Sequence, residues 1–299
     1  MTDSIVINEV GPRDGLQSQQ KHLDLDQRKS FVDALVRSGL KNIEIGSFVS
    51  PKAVPQMAGT GELLQALSQA KDLTYSVLVP NQKGYELARM AGAKTVALVV
   101  SATETMSQKN IRMSVEQSFA TAEGIIHQAK LDSIAIQAYL SVAFVCPFEG
   151  SVSASLVRDQ ARQLAEFGAD EIVIADTIGA ADPAAVRDLM NGLVEEYGSG
   201  RLACHFHDTR AMGLANVFAA IESGVRKFDS SVGGLGGCPF APGAKGNVAT
   251  EDVVMMCHQM GFETGVDISI LLKAVELISL LTESQQGGRA HYWLSNNVA

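Results

Sequence analysis

Cysteine is scarce in this chain of 299 residues: Cys146, Cys204, Cys238 and Cys257 are the only four, and none forms a Cys-x-x-Cys pair. That spacing excludes a disulfide framework or a zinc knuckle and fits a reducing cytoplasm. Long apolar runs are also missing, so no segment reaches membrane-spanning length. Residues 1–5 carry no basic stretch leading into an apolar one, and no signal peptide is expected. Positive charge is in deficit, with 24 Lys and Arg against 33 Asp and Glu and a net charge of −9, which argues against nucleic acid or an anionic membrane as partner. An anionic small molecule would need a local cationic site. No Gly-x-Gly-x-x-Gly opens a helix after the first strand, which counts against an open dinucleotide-binding sheet. No Pro/Ser/Gly linker marks a domain boundary, and with 46% hydrophobic residues the chain can build one large core.

What is present is alternation. Short β-branched runs at 6–10, 42–45, 74–79, 95–100, 134–140, 171–175, 202–206 and 227–231 read as eight strands. Helical periodicity fills 26–38, 61–70, 83–91, 115–130, 155–167, 183–197 and 212–223, and several of these stretches stop at glycine (Gly39, Gly92, Gly168, Gly198, Gly224). Eight β/α units predict an α/β fold of the (β/α)8 TIM-barrel type, a single catalytic domain with the barrel over about 4–245 and a C-terminal helical cap over about 249–299. In such barrels chemistry belongs to the C-terminal strand ends and the loops that follow them.

Those ends carry reactive side chains. Cys204-His205-Phe206-His207-Asp208-Thr209 closes the seventh strand, and period-two geometry puts His205 and His207 on one face, the spacing a divalent metal can use. Satisfied core histidines are the competing reading. After the first strand, Arg13 and Asp14 sit in a Gly/Pro-punctuated turn, either as a local ion pair or as an anion holder beside a metal ligand. Glu44, in the second strand, is costly to bury unpaired and should meet Arg13 or another donor. The eighth strand runs into Gly233-Gly234-Leu235-Gly236-Gly237-Cys238, a glycine hinge that delivers a cysteine to a site or flanks an inert one. Asn247 follows, as an oxygen ligand or as a cap or turn residue. Asp14, His205, His207 and Asn247 together offer two imidazoles and two oxygens, a set that suits Mg²⁺ or Mn²⁺ and also admits Zn²⁺.

At these residues the chain resembles the 3-hydroxy-3-methylglutaryl-CoA lyase family. The resemblance runs through residues 9–17, 43–52, 54–57, 109–111, 146–150, 176–179, 205–209 and 229–252, in order along nearly the whole chain. It implies a barrel of the aldolase/metallolyase group in which Asp14, His205, His207 and Asn247 bind the metal. It implies that Arg13 stabilises an enolate oxygen, that Cys238 transfers a proton, and that Glu44 and Tyr139 are active-site residues. Gln17, Asn110, Ser114 and Asp176 match positions near substrate or CoA. The implied reaction is retro-Claisen cleavage of a 3-hydroxyacyl-CoA, foremost 3-hydroxy-3-methylglutaryl-CoA, to acetoacetate and acetyl-CoA. Methylmalyl-, citramalyl- or longer-branched thioesters, a Claisen-type synthase and a non-catalytic CoA-binding barrel are the alternatives. Loss of a hydroxyl proton in such a cleavage needs a base, and a histidine, His205 among them, or Asp14 is the candidate. A homodimer through the late helices is expected. The chain departs from the family pattern in reading Arg210-Ala211-Met212-Gly213 where Tyr-Gly-Gln-Ala is usual, Val145 for Gly and Ala53 for Trp.

Overall fold

Buried on both faces, a parallel strand favours apolar and β-branched residues, and each run read as a strand becomes one, with polar residues such as Glu9, His205 and Asp229 buried in three of them. The computed structural model describes residues 3–67, 70–237 and 246–297. Its barrel strands are β1 Val6–Glu9, β2 Asn42–Ser47, β3 Thr74–Leu78, β4 Thr95–Ser101, β5 Ala135–Ser141, β6 Glu171–Asp176, β7 Leu202–Phe206 and β8 Lys227–Ser230. They pair in parallel and in chain order, and β8 closes on β1 with Val6 opposite Lys227 and Glu9 opposite Ser230. The architecture is the (β/α)8 barrel that the alternation predicts.

Helices α1 Leu25–Arg37, α2 Thr60–Ala66, α3 Gln82–Met90, α4 Glu104–Ile111, α5 Val115–Leu131, α6 Ala154–Phe167, α7 Pro183–Tyr197 and α8 Gly213–Glu222 surround it. Alternate strand residues divide the work. Val96, Leu98, Ile172 and Ile174 join the large cluster that includes helix residues such as Phe31, Leu35 and Leu164, while Ala97, Tyr139, Val173 and Ala203 form a separate small one. Side-chain caps start several helices. Asp24 accepts from Gln27 N and Ser114 from Gln117 N, each in a full capping box. All five glycines expected as stops have positive φ, and at Gly39 a Cβ would lie 2.1 Å from the Gly265 carbonyl oxygen.

Two elements escape the sequence pattern. Helix α4 is polar nearly all round, burying only Met106 and Ser107, and so shows no apolar stripe. A two-residue hairpin pairs Val145–Cys146 with Gly150–Ser151 above β5. The second helix stops at Ala66 rather than residue 70, because Leu67 has already turned to extended backbone (ψ 153°). Beyond the barrel lie α9 Thr250–Gln259, α10 Ile268–Thr282 and α11 His291–Asn297, with α10 packed on α1. At the strand starts, Lys227 Nζ donates to Glu171 Oε2 (2.6 Å) and Gln137 Nε2 to Glu171 Oε1 (3.0 Å), a polar group on the stability face of the barrel.

Candidate active site

The β1 turn is tight because three amides, those of Arg13, Asp14 and Gly15, share the Val10 carbonyl (3.1, 2.8 and 3.2 Å). This winding presents Arg13 and Asp14 side by side at the mouth of the barrel. Arg13 Nε donates to Glu44 Oε2 and its Nη1 to Asp14 Oδ1, both at 2.6 Å. The turn ion pair and the expected Arg13–Glu44 contact are therefore one buried Glu–Arg–Asp array. Burial works against the Arg13 charge, but Glu44 and Asp14 outweigh it and raise its pKa. Burial likewise opposes the Asp14 charge, yet Arg13 and the two histidines hold it down at about 2. The Glu44 carboxyl is pushed up by burial, to about 7, against the pull of Arg13.

His205 and His207 are 7% and 5% exposed and point into the same space as Asp14; one ligand atom from each of the three lies within 4.8 Å of the others. His205 Nδ1 lies 3.0 Å from Asp229 Oδ2, and Asp229 Oδ1 accepts from Asn8 Nδ2 at 2.7 Å. With Nδ1–H donating to Asp229, the Nε2 lone pair of His205 faces the cluster. His207 Nε2 sits 3.1 Å from that atom. For His205, burial is outweighed by Asp229 and Asp14, and its pKa rises; for His207, burial and the neighbouring His205 lower it to about 4. His207 is thus a neutral imidazole near pH 7.

Asn247 reaches the cluster through a bridge with His207. Its Nδ2 donates to Asp14 Oδ2 (2.7 Å) and the Leu235 carbonyl (3.1 Å), leaving a buried Oδ1 without a partner. Two convergent imidazole nitrogens, an ionised carboxylate and an orphaned amide oxygen are a donor set that fits a hard-to-borderline divalent cation. The cap-or-turn alternative for Asn247 accounts for none of this.

Of the other expected residues, Gln17 joins the cluster by donating Nε2 to Asp14 Oδ1 (3.1 Å). Tyr139 stands edge-on to His205 (centroids 6.3 Å, 74°) with its buried hydroxyl unpartnered. Asp176 does not join; both its oxygens hold the following turn, accepting from Ala180 N (2.8 Å) and Ala181 N (3.1 Å). Asn110 is exposed on the last turn of α4, and Ser114 caps α5, so both lie on the rim after β4. Cys238 lies outside the described residues. Arg210 is a staple rather than a free cation, its guanidinium donating to the carbonyls of Gly179, Ala180 and Ala181.

Asp229, which bonds His205, is the candidate site residue that the sequence reading did not single out. Its signal was a carboxylate in a core strand, Phe228-Asp229-Ser230, in register with His205 across the β7–β8 pair.

A model of the HMGL-like family matches residues 4–278. The chain belongs to the HMGL-like family. It is 43% identical to a hydroxymethylglutaryl-CoA lyase of Pseudomonas mevalonii, with 95% of this chain and 93% of that one covered. It is 42% identical to a 3-hydroxy-3-isohexenylglutaryl-CoA/hydroxymethylglutaryl-CoA lyase of Pseudomonas aeruginosa, over 94% of each. Among solved structures it is similar to an HMG-CoA lyase from Acinetobacter baumannii in complex with coenzyme A and 3-methylmalate (TM-score 0.93, 37% identity, 99% of this chain and 95% of that one covered). For this HMGL-like chain, the likeness extends to the whole barrel and the C-terminal helices.

Proposed function

We propose that this chain is a carbon–carbon lyase that cleaves 3-hydroxy-3-methylglutaryl-CoA to acetoacetate and acetyl-CoA. The observation that carries the reading is the convergence of Asp14, His205 and His207, with Asn247 bonded to Asp14 through its amide and Arg13 directly beside them. These four residues would hold Mg²⁺ or Mn²⁺, which when bound supplies positive charge to the substrate's hydroxyl and carboxylate oxygens. Arg13, fixed by Glu44, stabilises the thioester enolate left by bond cleavage. Loss of the hydroxyl proton needs a base, for which His205, oriented by Asp229, and Asp14 are proposed; His205 would take that proton on Nε2 only while that atom is not on the cation. Family resemblance assigns return of a proton to the enolate carbon to Cys238. Asn110 and Ser114, on the rim, are proposed to meet the CoA portion, and Asp176 to shape the turn beside it.

The 42% identity to an enzyme named for a longer C3 branch, with Ala53 where the family pattern has Trp, supports a second substrate with a larger substituent. One assay addresses both readings. Purified chain with Mg²⁺ or Mn²⁺ and thiol reductant should release acetyl-CoA from 3-hydroxy-3-methylglutaryl-CoA. Turnover of a longer-branched thioester alone would move the assignment to that substrate, and inactivity on the whole panel would end the lyase reading.

A cytoplasmic location fits the unpaired cysteines Cys146, Cys204 and Cys257. Among the described residues no helix is long and apolar enough to cross a membrane. Exposed Leu280, Tyr292 and Trp293 on the last two helices support a homodimer through that face, testable by sedimentation.

A further inference from the structure

The chain after α10 returns to the mouth of the barrel and is fastened there by its backbone. Gly287 N donates to the Gly233 carbonyl (3.0 Å), Gly288 N to Glu251 Oε1 (2.8 Å), Arg289 N to Asp252 Oδ2 (2.6 Å) and Ala290 N to Asp252 Oδ1 (2.9 Å). Held in this way, Arg289 is aimed at Asp208. Its Nε donates to Asp208 Oδ2 at 2.6 Å and its Nη2 to the Asp208 carbonyl at 3.3 Å.

Asp208 follows His207 directly and is itself buried. Its Oδ1 accepts from Gly213 N (3.0 Å) at the start of α8, and its own amide donates to the Gly246 carbonyl (2.9 Å), the residue before Asn247. The turn at Asp208 therefore governs both how His207 leaves β7 and how Asn247 is brought alongside it.

We propose that Arg289 is a positioning residue for the cation site, coupling the C-terminal segment through Asp208 to the His207–Asn247 pair. The inference rests on the cation reading above. Arg289 touches no ligand atom; it restrains the backbone that carries two of them, and since contacts to the ligands themselves change metal affinity by about 10- to 100-fold, this more remote one should act at or below the lower end of that range. A rival role exists, because Arg289 and Asn247 both border a cavity of about 210 Å³ in which the guanidinium could meet substrate.

Titration of the full chain with Mn²⁺, free ion read by electron paramagnetic resonance and no thioester present, separates the two. Arg289→Ala should raise the Mn²⁺ dissociation constant severalfold, up to about tenfold. Arg289→Lys should recover part of the loss, and Asp208→Asn, which keeps the shape, should weaken binding in the same direction and serves if Arg289→Ala does not fold. Unchanged Mn²⁺ constants in these variants overturn the proposal, as does a raised KM for the thioester with Mn²⁺ affinity intact. A wild-type chain that binds no Mn²⁺ overturns the cation reading itself and this inference with it.

Discussion

At the scale of single residues, Arg13 serves two carboxylates with one guanidinium. Its planar fork reaches Glu44 through Nε and Asp14 through Nη1, both at 2.6 Å, which a lysine ammonium on a flexible stem cannot reproduce. Arg13→Lys should therefore keep the charge and lose the geometry. Loss of one oriented donor to a developing oxyanion costs about 10²- to 10³-fold in kcat. Steady-state kinetics should show that fall with Mn²⁺ affinity nearly unchanged, and a kcat within threefold of wild type would remove Arg13 from enolate stabilisation. Ala211 offers a test of stability alone. It sits at φ +61°, left-handed backbone that a Cβ disfavours, where the family pattern has glycine. Ala211→Gly relieves that strain but gives the unfolded chain more freedom, so a net gain of roughly 0.5–1 kcal/mol is expected. Thermal melting should rise by a degree or more, and a fall would show that the Arg210 staple already compensates the strain.

At the scale of elements, the ends of β1, β8 and α9 are joined by one buried carboxyl. Glu9 Oε1 accepts from Gly11 N (2.8 Å) and Val232 N (3.0 Å), and its Oε2 from Thr250 Oγ1 (2.6 Å). Burial pushes its pKa up to about 7, with the nearby Glu251 adding to the rise. A carboxyl that is a weaker acid folded than unfolded favours folding below its unfolded pKa, and that contribution is lost as pH climbs through the folded value. The melting temperature should thus carry a downward slope between about pH 4.5 and pH 7 from this group. Glu9→Gln keeps the acceptor for both amides and can donate to Thr250, so it should flatten that slope. An identical pH profile in the variant would show that Glu9 does not titrate there. None of this web was legible in advance. Gly11 is two residues away, but Val232 and Thr250 are brought to Glu9 by barrel closure, and no local pattern encodes a contact between residues 241 apart.

At the scale of the whole molecule, the barrel was legible because each of its parts repeats a local rule. Strands buried on both sides favour apolar and β-branched residues, and helices ending in the left-handed region favour glycine; both signals recur around most of the barrel. His205 and His207 were legible for a similar reason, since period two alone puts them on one face. The partners that orient them were not. Asp229 meets His205 only because β8 lies beside β7, and Arg289 meets Asp208 only because the chain returns from 81 residues downstream. The candidate cation site, likewise, is assembled from distant stretches, around Asp14 and His205–His207 with Asn247 beside them, so a bound ion would cross-link the two ends of the barrel. Any ligand that binds only the folded chain stabilises it by mass action, about 2.7 kcal/mol at a hundredfold excess over its dissociation constant. For a chain of this size that corresponds to a few degrees in melting temperature. Protein saturated with Mn²⁺ should melt that much higher than protein treated with chelator, and the difference should vanish in Asp14→Asn and His207→Ala. Asp14→Asn separates the ion from the fold: it removes the ligand charge and leaves the chelated protein as its own reference. A Mn²⁺-dependent shift that survives in both variants would place the ion elsewhere, and no shift in wild type would mean that Asp14, His205, His207 and Asn247 converge without binding one.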